Sequence, residues 1–407
     1  GILRKALEQI KNNGIEASRI TKTVLVIDEA QDMDEDEFNL ILALMDQNEE
    51  MRVIAVGDDD QNIYGFRGAS SRYLEQFIEN NQATKYELVE NYRSKSNLVD
   101  FTNQFVKRIQ HRLKDTPIIP MHADLGKIKL VRYQSANLII PLVKDILMTG
   151  LSGTSCVLTK TNEEALQITG LLIKNGLQAK LVQSNDGFNL YNLAEVRFFL
   201  SLLNLENDVF IISDDIWIAA KKELVKKYGS SDKLELCKNV IKDFEATNPK
   251  RKYKSDLEIF VRESKLEDSF KDDGETVFVS TIHKAKGREF DHVFLMLENF
   301  NSTSDEAKRL VYVAMTRAKQ NLSIHLNSDF LDMISAQNLE RVEDKDIHLP
   351  PNELAIQLTH KDVWLDYFIN RQHLVNQYVS GAWLNFNGSE CLNSRGKVVL
   401  KFSRDFI

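Results

Sequence analysis

The stretch VLVIDEAQD, Val24–Asp32, passes directly from four apolar residues into acidic ones. An apolar run of this length predicts a strand of a parallel sheet that is buried on both faces. Ligand sites in such sheets lie at the carboxyl ends of the strands, so Asp28 and Glu29 are expected at a ligand site. The alternative is that these acids only begin a helix, where negative charge is favourable.

The flanking residues alternate between helical and strand patterns. Residues 2–13 and 36–47 have helical spacing, and MRVIAVGD, residues 51–58, predicts a second buried strand. A further α/β region starts near Gly126 and resumes at about residue 275, after a charged helical insertion that carries Trp217. A double proline at 350–351 precedes a predicted short helix, residues 361–379, and a strand-like tail. Strand–helix–strand order predicts parallel sheets with helical crossovers.

Composition limits the class of protein. The 407 residues carry a net charge of −8, which disfavours a wholly basic nucleic-acid binder but allows a locally basic channel. The three cysteines are far apart and predict reduced core thiols in a cytosolic protein rather than a metal site. No apolar run reaches the roughly 18 residues that a membrane span needs.

Four more stretches carry candidate chemistry. In VIAVGDDDQNIYGFRGAS, Gln61 suits a phosphate sensor, Tyr64 and Phe66 suit stacking on bases, and Arg67 suits a backbone phosphate. The others are NYRS (91–94), STIHKAKGREF (280–290) and VYVAMTRAK (311–319), the last with Arg317 inside a helical pattern. A buried arginine without a carboxylate partner is costly, so it usually meets a phosphate or an acid. The alternative for each stretch is structural: turns with core aromatics, and a core histidine at 283.

Taken in order, these stretches resemble motifs II to VI of superfamily 1 helicases of the UvrD/Rep/PcrA family, over about residues 20–330. The resemblance implies two RecA-like domains of the P-loop NTPase type, ATP and Mg²⁺ as cofactors, and DNA as substrate. It implies a nucleotide site, with Asp28 as Mg²⁺ ligand, Glu29 as acid–base, Gln61, Arg93 and Arg317 at the γ-phosphate, and Tyr92, Gly287 and Glu289 around the nucleoside. It also implies a single-strand DNA site of Tyr64, Phe66, Arg67, Thr281 and His283.

The chain departs from the family pattern in three places. No phosphate loop of the form G-x-x-x-x-G-K-[ST] occurs in it. Phe66 stands where relatives usually carry tryptophan, and only residues 205–272 are available for the family's large mobile subdomain. We therefore expect a fragment that lacks part of the first core domain and hydrolyses ATP poorly alone.

The predicted organisation is a truncated first core domain at 1–115, a second core domain at 116–340 with the insertion at about 205–272, and a small α+β or β-barrel-like domain at 348–407. The predicted function is an ATP-dependent DNA helicase, moving 3′→5′ on single strands and acting at duplex junctions in the cytoplasm. The alternative is a catalytically inactive helicase-like module that binds nucleic acid or protein within a larger helicase such as a RecQ-type fusion. Interleaved aromatic and basic residues after His348 suit nucleic acid, a docked protein, or simply an aromatic core.

Overall fold

A computed structural model of the chain describes all residues except 13, 49, 81–82, 183–189, 204–210, 265–275, 301–302, 353–357, 359–361, 405 and 407. It divides into two compact units. The first contains Gly1–Leu181 and Gly274–Leu354, and the second contains Val182–Asp273 and Ala355–Ile407. The domain boundaries expected near residues 115 and 340 stay predictions.

The helices are α1 (Ile2–Lys11), α2 (Ala17–Ile20), α3 (Glu35–Asp46), α4 (Ser71–Asn80), α5 (Ser96–Val106), α6 (Ile139–Met148), α7 (Asn162–Lys174), α8 (Ala194–Leu202), α9 (Asp214–Tyr228), α10 (Leu234–Thr247), α11 (Lys254–Glu263), α12 (Ile282–Ala285), α13 (Asp305–Met315) and α14 (Gln372–Val375). The strands are β1 (Val24–Ile27), β2 (Arg52–Ala55), β3 (Glu90–Asn91), β4 (Ile119–Pro120), β5 (Lys127–Tyr133), β6 (Ser155–Thr159), β7 (Ala179–Leu181), β8 (Ile211–Ile212), β9 (Lys252–Tyr253), β10 (Val277–Thr281), β11 (Phe290–Leu297), β12 (Ala318–Leu326), β13 (Leu339–Asp344), β14 (Asn385–Asn387), β15 (Glu390–Leu392) and β16 (Val398–Lys401).

A seven-stranded sheet dominates the first unit, in the order β13-β5-β12-β11-β6-β10-β7. All of its strand pairs are parallel. Every residue of β6 and β10 is buried, as expected for central strands covered by helices on both faces. The predicted fold class is confirmed: an α/β chain with parallel sheets, followed by a small antiparallel three-stranded sheet, β14-β15-β16.

The strands that carry the acidic stretch form a separate parallel pair, β1-β2. The prediction that both strands are buried on two faces is wrong, because Val26 is 62% exposed and Val24, Ile54 and Val56 are exposed too. The opposite face packs on a core that includes Phe38 of α3 and Tyr73 of α4. Helices of the described chain thus cover one face of this pair and leave an apolar face open.

The second unit joins the helical insertion to the C-terminal tail. Trp217 of α9 is buried and packs edge-on against Phe199, with ring centroids 5.0 Å apart. Both ends of the predicted insertion, near 205 and 272, lie outside the described residues. The single helix predicted for residues 361–379 is wrong where it is described: only a 3-10 turn, Leu365–Phe368, and α14 form. The backbone N–H of Trp364 bonds to Lys401 of β16, which draws the start of this segment towards the sheet.

No helix in the described parts of the chain is both long and apolar enough to cross a bilayer.

Candidate functional site

The acidic pair lies where the sequence predicted it, at the carboxyl end of β1. Asp28 and Glu29 are exposed and follow the last residue of the strand, Ile27. Glu29 has φ +50° and ψ 40°, a left-handed conformation that is strained for a residue with a side chain. The strain is held in place because the next N–H, of Ala30, bonds to the carbonyl of Val56 at 2.9 Å. Such fixed strain points to a functional position.

Gln31 holds this acidic turn and was given no role by the sequence argument. Its side chain is 1% exposed, and its Nε2 donates to Glu29 Oε2 at 2.6 Å. Its Oε1 accepts from the backbone N–H of Asp58 at 2.9 Å. A Cβ on Gly57 would lie 2.6 Å from that Oε1, so glycine is required for this approach. Gln31 therefore ties the carboxylate of Glu29 to the loop that follows β2.

That loop contains three consecutive acids, Asp58–Asp60, whose carboxylate oxygens lie within 4.8 Å of one another. Spacing of this kind would suit a metal, but each acid has protein partners in residues 112–114. Arg112 donates two bonds of 2.8 Å to Asp60, the Leu113 N–H bonds to Asp59 at 2.7 Å, and Lys114 bonds to Asp58 at 2.6 Å. Two cations thus offset the three acids and fix the 3-10 turn, Asp59–Gln61, so the cluster serves to position Gln61. Sequence alone did not point to Arg112 or Lys114.

Arg317 lies outside helix α13, contrary to the prediction. The helix ends at Met315, and β12 begins at Ala318. The N–H of Arg317 instead bonds to Ala314, and its carbonyl accepts from Phe290 at the start of β11. This pairing with β11 takes Arg317 out of the helix and places it on the sheet.

The Arg317 side chain is 2% exposed and meets neutral oxygens. It donates to the carbonyls of Val313 and Arg288 and to Gln61 Oε1, at 3.0, 3.1 and 3.0 Å. No carboxylate lies within 4.0 Å of it among the described residues. Burial, together with the nearby positive charge of Arg93, lowers the pKa of Arg317 to about 10. A buried cation that is paired only with neutral groups is suited to an incoming anion.

Arg93 and Glu289 come together as an ion pair, with Nε and Oε2 2.5 Å apart. The sequence resemblance assigned them to different parts of one ligand, the γ-phosphate and the ribose. Tyr92 beside them is 66% exposed, and its hydroxyl bonds to Glu90, which raises the pKa of Tyr92. Gly287 lies in the turn between α12 and β11.

Lys286, in the same turn, reaches the acidic edge, although the sequence argument gave it no role. Its Nζ lies 2.5 Å from Asp32, 3.5 Å from Glu29 and 2.9 Å from the carbonyl of Gln61. Burial raises the pKa of Asp32, while the bond and charge of Lys286 act in the opposite direction. The turn after α12 therefore contacts the loops that follow β1 and β2.

The predicted DNA residues form an aromatic strip, which we define as Tyr64, Phe66, Arg67 and His283. Phe66 is exposed, and its ring lies 5.5 Å from that of His283, edge to face. The Arg67 guanidinium lies 5.4 Å from the Tyr64 ring centre and 5.5 Å from that of Phe66. Burial lowers the pKa of His283, which favours its neutral form. An exposed ring beside a cation suits stacking on bases next to a phosphate.

Thr281 does not join this strip. It is buried at the end of β10, where it is the last residue before α12, the helix that carries His283. This place in the fold suits a residue that positions His283, and the DNA contact of Thr281 stays a prediction.

The assembled residues fit part of a magnesium–nucleotide site. Exposed carboxylates of Asp28 and Glu29 are the oxygen ligands that Mg²⁺ prefers, and the buried Arg317 lacks an anionic partner within the described chain. The glycine-rich loop that would cradle the remaining phosphates has no counterpart in the 407 residues.

Comparison with known proteins identifies related families. The family model described as the UvrD-like helicase C-terminal domain matches residues 86–211 and 207–329, and that of the UvrD/REP helicase N-terminal domain matches residues 2–82. Gabija protein GajB of Bacillus cereus is 23% identical over 337 residues, covering 76% of this chain and 65% of that protein.

Two helicases are also similar over shorter regions. DNA helicase II of Haemophilus influenzae is 26% identical over 45% of this chain and 26% of its own length. The ATP-dependent DNA helicase PcrA of Leuconostoc citreum is 25% identical over 45% of this chain and 25% of its own length. The chain thus spans between a quarter and about two thirds of these relatives. Because the two family models together extend over residues 2–329, the chain belongs to the UvrD-like helicase family.

Proposed function

We propose that the protein acts as an ATP-dependent DNA helicase that couples hydrolysis to 3′→5′ movement on single-stranded DNA and to unwinding at duplex junctions. The observation that carries this proposal is the 3.0 Å bond between Gln61 and the buried Arg317. It joins the loop after β2, beside the acidic pair, to the start of β12 in the large sheet. Family membership supports the helicase activity, and the direction of movement rests on the family alone.

The proposed roles are those that the family resemblance implies, and the positions of the side chains support them. Bound Mg²⁺–ATP would supply the phosphoryl group and the free energy of its transfer. Asp28 would hold the metal, and Glu29 would orient a water and accept its proton on a carboxylate oxygen. Arg317 and Arg93 would neutralise negative charge that develops at the terminal phosphate. The remaining proposed contacts are with the nucleoside, through Tyr92, Gly287 and Glu289.

Coupling to DNA is proposed to pass through the short segment from Gln61 to Arg67. Gln61 contacts Arg317 at one end, and the aromatic strip begins three residues later at Tyr64. The Tyr64 hydroxyl bonds to the carbonyl of His283 at 3.1 Å, so both sides of the strip are linked. A change in the Gln61–Arg317 bond would therefore shift the position of bases stacked on Phe66.

The phosphate loop is proposed to come from a segment outside these residues in the whole protein. The open apolar face of β1-β2 supports this, because a further helix or strand would bury it. Its exposed residues are Val24, Val26, Ile54 and Val56. The 407-residue chain alone is then expected to hydrolyse ATP poorly. We also propose a cytoplasmic location, which the three free cysteines support.

A second candidate is a helicase-like module without turnover, which binds nucleic acid or a protein partner within a larger protein. The absent phosphate loop favours it. The two candidates differ in whether Glu29 matters for hydrolysis.

The test uses the natural parent protein, with single-strand-stimulated ATPase measured before and after Glu29→Gln. Loss of activity by a factor on the order of 10² or more supports the helicase. The matched control is Glu35→Gln, an exposed acid in the first turn of α3, which is expected to leave the rate unchanged. Unchanged activity in Glu29→Gln would assign turnover to another module and favour the second candidate.

A further inference from the structure

The C-terminal tail contains two groups of aromatic residues. Tyr367 and Phe402 are buried and form the core of the small module, with Phe402 packing 4.9 Å from Phe406. By contrast, Trp383 is 94% exposed and Phe386 is also exposed. Tyr367 and Phe402 match the interpretation that the tail has its own aromatic core, but this leaves Trp383 unexplained.

The basic residues of the tail divide in the same way. Lys401 pairs with Glu390 at 3.1 Å, and Arg371 lies over the Tyr367 ring at 4.5 Å. Arg395 and Lys397 are exposed and make no ion pair within the described part of the chain. They are free to contact an anion.

Arg395 and Lys397 lie on a rigid turn between β15 and β16. The Asn393 side chain accepts from both of their backbone N–H groups, at 3.0 and 2.9 Å. The Gly396 N–H bonds to the Asn393 carbonyl and closes the turn. The two cations are therefore presented on an ordered backbone.

Trp383 is placed at the same end of this sheet. Asn385 of β14 pairs with Leu392 of β15, so the chain just before Asn385 runs beside the chain just after Leu392, where the turn begins. A second anchor precedes it: the carbonyl of Ser380 accepts from the Asp232 N–H at 3.1 Å. Gly381 has φ +90°, and a Cβ there would lie 2.2 Å from Asp232, so the backbone is closely fitted.

We propose that this end of the tail, defined by Trp383, Arg395 and Lys397, binds single-stranded nucleic acid. An exposed indole offers a face on which any base can stack, and two adjacent cations suit the flanking phosphates. Local charge agrees: residues 362–404 contain five Lys or Arg and three Asp or Glu, although the whole chain carries −8. This contact needs no ATP turnover and uses none of the residues proposed for the helicase core.

The experiment measures binding of a fluorescein-labelled oligo-dT to the 407-residue chain, by anisotropy and by quenching of tryptophan fluorescence. The chain has three tryptophans, and Trp217 is buried, so quenching reports on Trp364 and Trp383. Trp383→Ala is expected to abolish most of the quenching and lower the affinity about tenfold. The control, Trp364→Phe, should keep both signals. The double variant Arg395→Ala, Lys397→Ala loses two phosphate contacts. The slope of log Kobs against log salt concentration should therefore fall in magnitude by about 1.4.

All measurements are repeated with Phe66→Ala, which weakens the aromatic strip. Quenching that persists with Phe66→Ala and disappears with Trp383→Ala supports the tail site, whatever the outcome for the helicase core. Quenching and affinity that are unchanged in Trp383→Ala, or an oligonucleotide that binds only through Phe66, would overturn it. If this end of the tail instead binds a protein partner, the oligonucleotide is expected to bind only through Phe66. Circular dichroism confirms that the exposed-site variants are folded.

Discussion

Replacing the buried Arg317 by methionine is expected to leave the stability of the 407-residue chain almost unchanged, which is unusual for a residue that is 2% exposed. Burial lowers the pKa of Arg317 from its ordinary value to about 10 in the fold. One pKa unit corresponds to about 1.36 kcal/mol, so holding the charge there costs on the order of 3 kcal/mol. Because the folded-state pKa lies below the unfolded one, this cost is present at every pH below about 10.

Methionine removes this cost but also removes four hydrogen bonds, to Val313, Arg288, Gln61 and Thr316. Each lost bond costs about 1 kcal/mol. The two effects nearly cancel, so we expect Arg317→Met to change the free energy of unfolding by less than about 1 kcal/mol. In the parent protein the same change should lower ATPase by a factor of about 10³, as for loss of an arginine finger.

Arg112 is the matched control, since it is also an arginine with little exposure but has a carboxylate partner. It donates two bonds of 2.8 Å to the fully buried Asp60, and this bond raises the pKa of Arg112. Arg112→Met would remove both hydrogen bonds from that buried carboxylate and leave it only the ion pair with Lys114 at 3.7 Å, at a cost of about 3–5 kcal/mol. The difference in the free energy of unfolding between the two variants therefore shows what a carboxylate partner contributes to a buried arginine.

The assay is guanidinium unfolding followed by far-ultraviolet circular dichroism for the wild type and both variants. The reasoning is refuted if Arg317→Met loses 3 kcal/mol or more, comparable to Arg112→Met. Its neutral partners would then compensate the charge fully, and Arg317 would be a structural residue rather than one that awaits a phosphate.

Three further predictions follow from the same geometry. Gly57→Ala should destabilise the chain by about 1–3 kcal/mol, because the new Cβ would lie 2.6 Å from Gln31 Oε1, and thermal unfolding checks this; an unchanged melting temperature would contradict it. Phe66→Ala should lower oligo-dT affinity about tenfold by anisotropy, through loss of one stacking contact, whereas equal affinity would remove the strip from the DNA site. Burial opposes ionisation of Asp305, but bonds from the His111 N–H, the Lys308 ammonium and the Gln110 N–H lower its pKa to about 2. Its contribution to stability should therefore be present above about pH 4 and be lost as pH falls towards 2. Asp305→Asn should reduce the dependence of the free energy of unfolding on pH over that range, and an unaltered pH dependence would contradict this contribution of Asp305.

Much of the fold was predictable because its determinants are local. The strand β2 carries the apolar residues Val53, Ile54 and Ala55, and α7 begins with a capping box in which Thr161 and Glu164 bond to each other's backbone N–H groups. Such signals act within a few residues and are legible without the rest of the chain. The errors arose where distant contacts override them, as at β1, whose exposure depends on what packs against it, and at Arg317, which β11 draws out of the helical pattern.

The candidate site shows the same division. Motif resemblance predicted Glu29, Gln61 and Arg317 as site residues, because their spacing within each motif is intact, and their roles stay predictions. Nothing in the sequence indicated that the Gln31 amide holds Glu29, or that Arg112 and Lys114 hold the acids before Gln61. These partners are separated by up to 56 residues, and glutamine, arginine and lysine are common at protein surfaces.

The order of residues was therefore sufficient for the parallel α/β class and the helicase motifs, since apolar periodicity and motif spacing are properties of short segments. Which side chains contact one another was decided by the tertiary structure. The burial of Arg317 beside Gln61, the ion pair of Arg93 with Glu289, and the reach of Lys286 to Asp32 each join residues at least 196 positions apart. Such contacts, and the charge balance they create, depend on how two sheets pack and not on either segment alone.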